Sequence, residues 1–160
     1  MSRELRDALG CFATGVTVVT TRYKDEDIGM TCSSFNSVSL DPAMALWSIQ
    51  KSAASLEAFQ KADGYTVSVL GANQGDLAMH FTKGEQAERF DGLSERRAPS
   101  GRVIMPNCIA WFDCDLHQVI EAGDHDILLA NIMDYDCTTH GAGLIFERSQ
   151  FGSTQLSKVA

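Results

Sequence analysis

Apolar and polar positions alternate with a period of two along most of this chain, and only three stretches repeat with helical spacing. Near the start, Leu5, Ala8, Leu9 and Phe12 fall on one helical face, Ser2 is placed to cap it, and Gly15 ends it. Residues 15–23 (GVTVVTTRY) form a β-branched run, residues 24–27 a charged turn, and residues 28–35 a returning strand, which together predict a hairpin. Residues 35–40 are extended and stop at Asp41-Pro42; residues 44–50 continue as a mostly apolar strand. A second helix, capped by Ser52 or Ser55, turns Leu56, Phe59 and Ala62 inward and closes at Gly64. Residues 65–70 alternate cleanly, and residues 74–81 predict a third helix with Leu77, Ala78 and Phe81 inward. Residues 82–100 read as a polar loop around Arg89-Phe90. Residues 109–122 and 126–136 are two long β segments joined at Gly123, and a short strand over 144–147 precedes Phe151.

Strands outnumber helices and come as hairpin neighbours, which predicts a mainly β, antiparallel sheet or barrel with a few packed helices, not a doubly wound sheet. With 160 residues a single domain over 1–160 is expected. Thirteen Lys and Arg against 21 Asp and Glu give a net charge of −8, which disfavours nucleic acid and anionic membranes as partners. No apolar run approaches the ~20 residues of a membrane span, and the charged N-terminus is unlike a signal peptide. The five cysteines, Cys11, Cys32, Cys108, Cys114 and Cys137, are odd in number and contain no CxxC pair. Buried or half-buried thiols in a reducing cytoplasm are therefore expected, with no metal site.

Glycine-rich phosphate loops are absent: Gly141-Ala142-Gly143 runs on into Leu144-Ile145-Phe146. A phosphate would have to be held by hydroxyls and free backbone N–H groups at a helix start. Two clusters offer these: Thr31-Cys32-Ser33-Ser34, and Ser48 followed by Lys51-Ser52-Ala53-Ala54-Ser55. His125 stands in Ala122-Gly123-Asp124-His125-Asp126, beside a glycine and between two carboxylates, where an accessible imidazole is expected. No GxSxG elbow accompanies it.

Taken together, CFATGVTVVTT, GMTCSSFNSVSLDP, ALWSIQKSAASLEAF, YTVSVL and AGDHDILLANI, in that order, resemble the flavin reductase family, over roughly Leu5 to Phe151. These are small NAD(P)H-dependent reductases serving two-component flavin monooxygenases. The resemblance implies a flavin-binding split β-barrel of Greek-key type, a homodimer, FMN or FAD as cofactor, and NADH or NADPH as hydride donor. Carried over by position, Thr31, Cys32, Ser33 and Ser34 would line the flavin ring and ribityl chain, with Ser48, Ile49 and Gln50 as the other wall. Ser52 and Ser55 would hold the flavin phosphate, and Phe81 would sit at the pocket edge. His125 would be the catalytic candidate on the nicotinamide side, with Asp124, Arg148 and Phe151 contacting the dinucleotide. The implied activity is reduction of free flavin for a partner monooxygenase in the cytoplasm. A flavin-binding electron-transfer module, or a flavin-dependent reductase of another acceptor such as a corrinoid, are the alternatives on the same fold.

Overall fold

The computed structural model describes residues 2–94 and 96–154. Helix α1 (Arg3–Leu9) is capped by the Ser2 hydroxyl, which accepts from the Leu5 N–H. Strands β1 (Thr14–Gly15), β2 (Thr17–Tyr23), β3 (Glu26–Cys32), β4 (Asn36–Leu40) and β5 (Ala43–Gln50) follow. Helix α2 (Leu56–Lys61), strand β6 (Gly64–Val69), helix α3 (Gly75–His80) and a 3-10 turn (Gln86–Phe90) come next. The chain closes with β7 (Arg96–Arg97), β8 (Val103–Ile104), β9 (Ala110–Ala122), β10 (His125–Cys137), β11 (Leu144–Glu147) and β12 (Gln150–Ser153). Among the described residues no helix is long and apolar enough to cross a membrane.

Seven strands form one antiparallel sheet in the order β3-β2-β6-β9-β10-β5-β4, a three-stranded sheet runs β1-β11-β12, and β7 pairs β8. The edge strands β3 and β4 are joined only by Ser33, Ser34 and Phe35. That link spans about 14 Å at full stretch, whereas seven flat strands would set their edges roughly 29 Å apart. The sheet therefore curls enough to bring the end of β3 within about 14 Å of the start of β4, although no described ladder joins the two strands.

Strand β2 is covered on both faces, so its buried run Thr17–Thr21 is continuous. On one side Val18, Leu70, Phe81, Ile104, Met105 and Trp111 pack together; on the other Val19, Trp47, Phe59, Tyr65, Val67 and Leu128 do. The buried hydroxyls in this run are satisfied: Thr20 donates to the Val103 carbonyl at 2.6 Å and Thr21 to the Gly64 carbonyl at 2.7 Å.

Several expectations are corrected. Helix α1 ends at Leu9 rather than at Gly15, and its predicted inward face is open: Leu5, Leu9 and Phe12 are all exposed. Gly64 does not close α2, which stops at Lys61; it opens β6, where an added Cβ would stand 2.0 Å from the Cys114 carbonyl oxygen. The loop over residues 82–100 holds the 3-10 turn and β7, and β12 extends the predicted last strand into a hairpin. Cys11 and Cys137 are exposed, while Cys32, Cys108 and Cys114 are buried.

Candidate functional site

A groove of about 250 Å³ opens where the end of β3, the C-terminus of α3 and the β11–β12 hairpin meet. Its apolar faces are Val16, Met79, Phe146 and Phe151, and its hydroxyls are Thr31, Ser33 and Thr82, with Cys32 completing the floor. Phe146 and Phe151 are direct cross-strand partners, their ring centroids 5.7 Å apart and inclined at 62°. They pack edge to face, and each is more than a third exposed, so together they present an apolar wall to the groove. The sequence singled out Phe151; Phe146, Met79 and Thr82 were missed, because nothing local marks them as neighbours of Thr31.

Thr31 turns its hydroxyl to the Ala78 carbonyl at 2.6 Å, which ties the groove floor to α3. Cys32 lies with its sulfur 3.1 Å from the Thr17 hydroxyl, and burial pushes its thiol above the ordinary range, so it stays protonated and neutral. Phe81, expected at the pocket edge, is wholly buried against Phe90 and Gly29; its neighbours Met79 and Thr82 hold the edge instead.

The other expected residues form a shelf beyond residue 33. The Ser34 hydroxyl accepts from the Ser48 N–H and donates to the Ser48 carbonyl, both at 3.0 Å, so it continues the β4–β5 pairing two residues beyond Asn36. Ile49 is fully buried, and Gln50 pairs with His125 across β5 and β10. Asp124 accepts from the Lys51 N–H through its carbonyl, and its carboxylate lies 2.7 Å from His125 Nδ1. That contact with His125 holds the Asp124 carboxyl below its usual range. His125 Nε2 has no protein partner among the described residues. Ser52 is exposed at the approach to α2, whereas Ser55 is buried with its hydroxyl 3.5 Å from the Met30 sulfur. None of Ser48, Gln50, Ser52, Asp124 and His125 lines the groove itself. Arg148 is also elsewhere: it sits at the hairpin tip, in a cleft with Arg6, Asp7, Gly10 and Cys11. The structure thus brings Thr31, Cys32, Ser33 and Phe151 together, sets Ser34, Ser48, Gln50, Asp124 and His125 on an adjoining shelf, and separates Arg148.

Residues 9–155 match the family described as "Flavin reductase like domain". The chain is 42% identical over 132 residues to the FMN reductase (NADH) SmoA of Agrobacterium fabrum, covering 82% of this chain and 75% of that protein. It is 40% identical over 151 residues to the reductase component of the flavin-dependent trigonelline monooxygenase of Acinetobacter baylyi, covering 93% of this chain but only 48% of that protein. Among solved structures, an NADH:FAD oxidoreductase of Streptomyces globisporus in complex with NAD and FAD fragments superposes with a TM-score of 0.89 at 32% identity, covering 95% of this chain and 92% of that one.

Proposed function

We propose, from the premise that this chain belongs to the flavin reductase like domain family, that it is an NAD(P)H:flavin oxidoreductase which supplies reduced FMN or FAD to a separate monooxygenase component. The observation that carries the reading is the groove, where two half-exposed phenyl rings face three hydroxyl-bearing residues. Its residues fit a flavin ring: apolar side chains for the faces of a flat heterocycle, hydroxyls for its polar edge. The curled sheet, with edges joined by three residues, supports a split β-barrel.

The cofactors supply the chemistry, a hydride passing from nicotinamide to flavin. The chain would supply proximity: Phe146 and Phe151 would hold and orient a flat ring, and such positioning turns a bimolecular step into a near-unimolecular one. Ser33 could donate to or accept from the ring edge, whereas Thr31 and Thr82, whose hydroxyls donate to the Ala78 and Met79 carbonyls, could accept from it. Cys32, kept neutral by burial, adds no charge and no nucleophile. Ser52 and Lys51 are the groups on the shelf placed to meet a phosphate, Lys51 on exchange from its ion pair with Glu121. His125, steadied by Asp124 through Nδ1, presents Nε2 to position the nicotinamide or deliver a proton. His125→Ala is expected to lower NADH oxidation at least about tenfold with the flavin KM unchanged, the low end for a group that orients rather than transfers. Full turnover in that variant removes the role.

A groove near 250 Å³ is smaller than the roughly 300–1,000 Å³ of most closed ligand sites, so one chain supplies one wall. A homodimer supplies the rest. Val38, Leu40, Met133 and Tyr135 are exposed along β4 and the far half of β10, and Leu40 is 94% exposed. Sedimentation is expected to give twice the 17.4 kDa chain mass, and Leu40→Asp to shift it toward the monomer. A wild-type protein that sediments as a monomer contradicts the dimer. The shallow site also suits a flavin that comes and goes, with colour lost on dialysis. The reading places the chain in the cytoplasm, where its thiols remain reduced.

The test of activity is NADH absorbance in air with and without added FMN or FAD, repeated with NADPH. Flavin-dependent consumption is the expected result. Flavin binding without consumption would make the chain a carrier rather than a reductase.

A further inference from the structure

Among the described residues the outer edge of β3 has no neighbouring strand, yet the N–H and carbonyl of Gly29 and the N–H of Thr31 are paired there. Gly29 donates its N–H to the Gln86 side-chain oxygen at 2.9 Å, and its carbonyl accepts from Arg89 Nη1 at 2.7 Å. The next outward-facing residue, Thr31, donates its N–H to the Phe81 carbonyl at 3.4 Å, and that same carbonyl accepts from Arg89 Nη1 at 3.0 Å. Arg89 also donates to the Lys83 carbonyl through Nε at 3.0 Å and to the Gly84 carbonyl through Nη2 at 3.2 Å. One guanidinium therefore engages four backbone carbonyls from two separate stretches of chain. Its hydrogen bonds go to neutral acceptors, so the arrangement exploits the planar fork of donors rather than charge pairing. The rings beneath follow suit: a Cβ on Gly29 would come within 2.7 Å of the Phe81 ring and 3.0 Å of the Phe90 ring, so only glycine lets these rings lie against the strand.

We propose that Gln86 and Arg89 form a positioning clamp for the groove, fixing the end of α3 on the edge of β3 and with it the wall made by Met79 and Thr82. The inference rests on the groove being the flavin site. The connection is short: Arg89 and Thr31 share the Phe81 carbonyl, Thr82 follows Phe81 directly, and the Thr82 hydroxyl donates to the Met79 carbonyl at 2.6 Å. Neither Gln86 nor Arg89 lines the groove, so each acts through the wall. A wall that contacts the ring alike before and during reaction contributes uniform binding, which appears in KM and not in kcat.

The experiment is steady-state kinetics with flavin varied at saturating NADH for Arg89→Lys, for Met79→Ala/Thr82→Ala, and for all three substitutions combined. Lysine keeps the charge but offers one point of donation and cannot reach four carbonyls. Arg89→Lys is expected to raise the flavin KM about tenfold, the worth of one or two lost hydrogen bonds, with kcat within about twofold. In the Met79→Ala/Thr82→Ala background the same substitution is expected to change KM less than about twofold, because the wall it positions is gone. A full tenfold effect in both backgrounds, or an unchanged KM in Arg89→Lys alone, overturns the clamp. If Met79→Ala/Thr82→Ala leaves the flavin KM at the wild-type value, the groove is not the flavin site and the clamp's role falls with it. Where Arg89→Lys does not fold, Gln86→Ala releases the same edge: a KM raised about threefold, for one neutral hydrogen bond, supports the clamp, and an unchanged KM overturns it.

Discussion

Replacing Phe146 and Phe151 together by alanine is expected to lower kcat/KM for flavin about fivefold to 150-fold, from the ~0.5–1.5 kcal/mol that each aromatic contact contributes beyond area burial. The two rings are direct partners across the hairpin and are the largest apolar surface of the groove. They are 36% and 40% exposed, so the folded chain alone draws little from them. Their loss removes one cross-strand pair, worth about 1 kcal/mol or less, and the protein is expected to stay folded. Steady-state kinetics beside thermal denaturation checks both halves. A variant with wild-type kcat/KM would place the ring elsewhere, while a variant that unfolds would make the pair structural.

The largest loss of stability is expected from Asp113→Ala. Asp113, 3% exposed, accepts from Thr66 at 3.0 Å, from the Ser100 hydroxyl at 2.7 Å and from Arg102 at 3.2 Å through Oδ1, and from the Ser100 N–H through Oδ2. Arg102 is itself 7% exposed and also donates to the Cys114 carbonyl. The network pins the loop before β8 to the junction of β6 and β9. Removing the carboxylate leaves a buried guanidinium with only the exposed Asp115 carboxylate, 3.8 Å away, as counter-charge, which costs about 3 kcal/mol, the low end for breaking a buried pair. Tm is expected to fall by roughly 10 °C, since 1 kcal/mol corresponds to about 2–4 °C at this chain length. Calorimetry showing a fall of only a degree or two would mean that water reaches Arg102 and replaces the lost partner. The other predictions concern this network little, because Asp113 lies outside the groove and the shelf.

How far the sequence anticipated these features depends on how local their causes are. The long hairpin of β9 and β10 was legible because two long β-type segments, 109–122 and 126–136, flank Gly123. The turn at Lys24-Asp25 was legible from its charge. Strand β12 was not: QFGS has little β character, and the turn before it sets Arg148 and Ser149 at φ of 49° and 64°, where glycine or asparagine would have signalled a hairpin. Its register with β11 sets Phe151 opposite Phe146. Helical spacing showed that α1 is amphipathic but not what covers Leu5, Leu9 and Phe12. The same spacing turned Phe81 inward, and the structure agrees; its expected place at the pocket edge came from family resemblance and is taken by Met79 and Thr82. The hydroxyl cluster at residues 31–34 was visible as composition, yet its division into groove residues and a β4-extending Ser34 depends on Ser48, fourteen positions away. Arg89 stood out only as a residue in a loop. Its four carbonyl acceptors, one of them sixty positions distant, appear only once the edge of β3 has been built.

The central claim is that the groove between β3, α3 and the β11–β12 hairpin holds the flavin ring. A crystal structure of the protein with FMN or FAD tests it most directly. The expected result is a ring in van der Waals contact with Phe146 or Phe151, its polar edge within hydrogen-bond distance of Thr31, Ser33 or Thr82. A ring seated instead in the cleft of Arg6 and Arg148, or anywhere that leaves Phe146 and Phe151 uncovered, would contradict the claim.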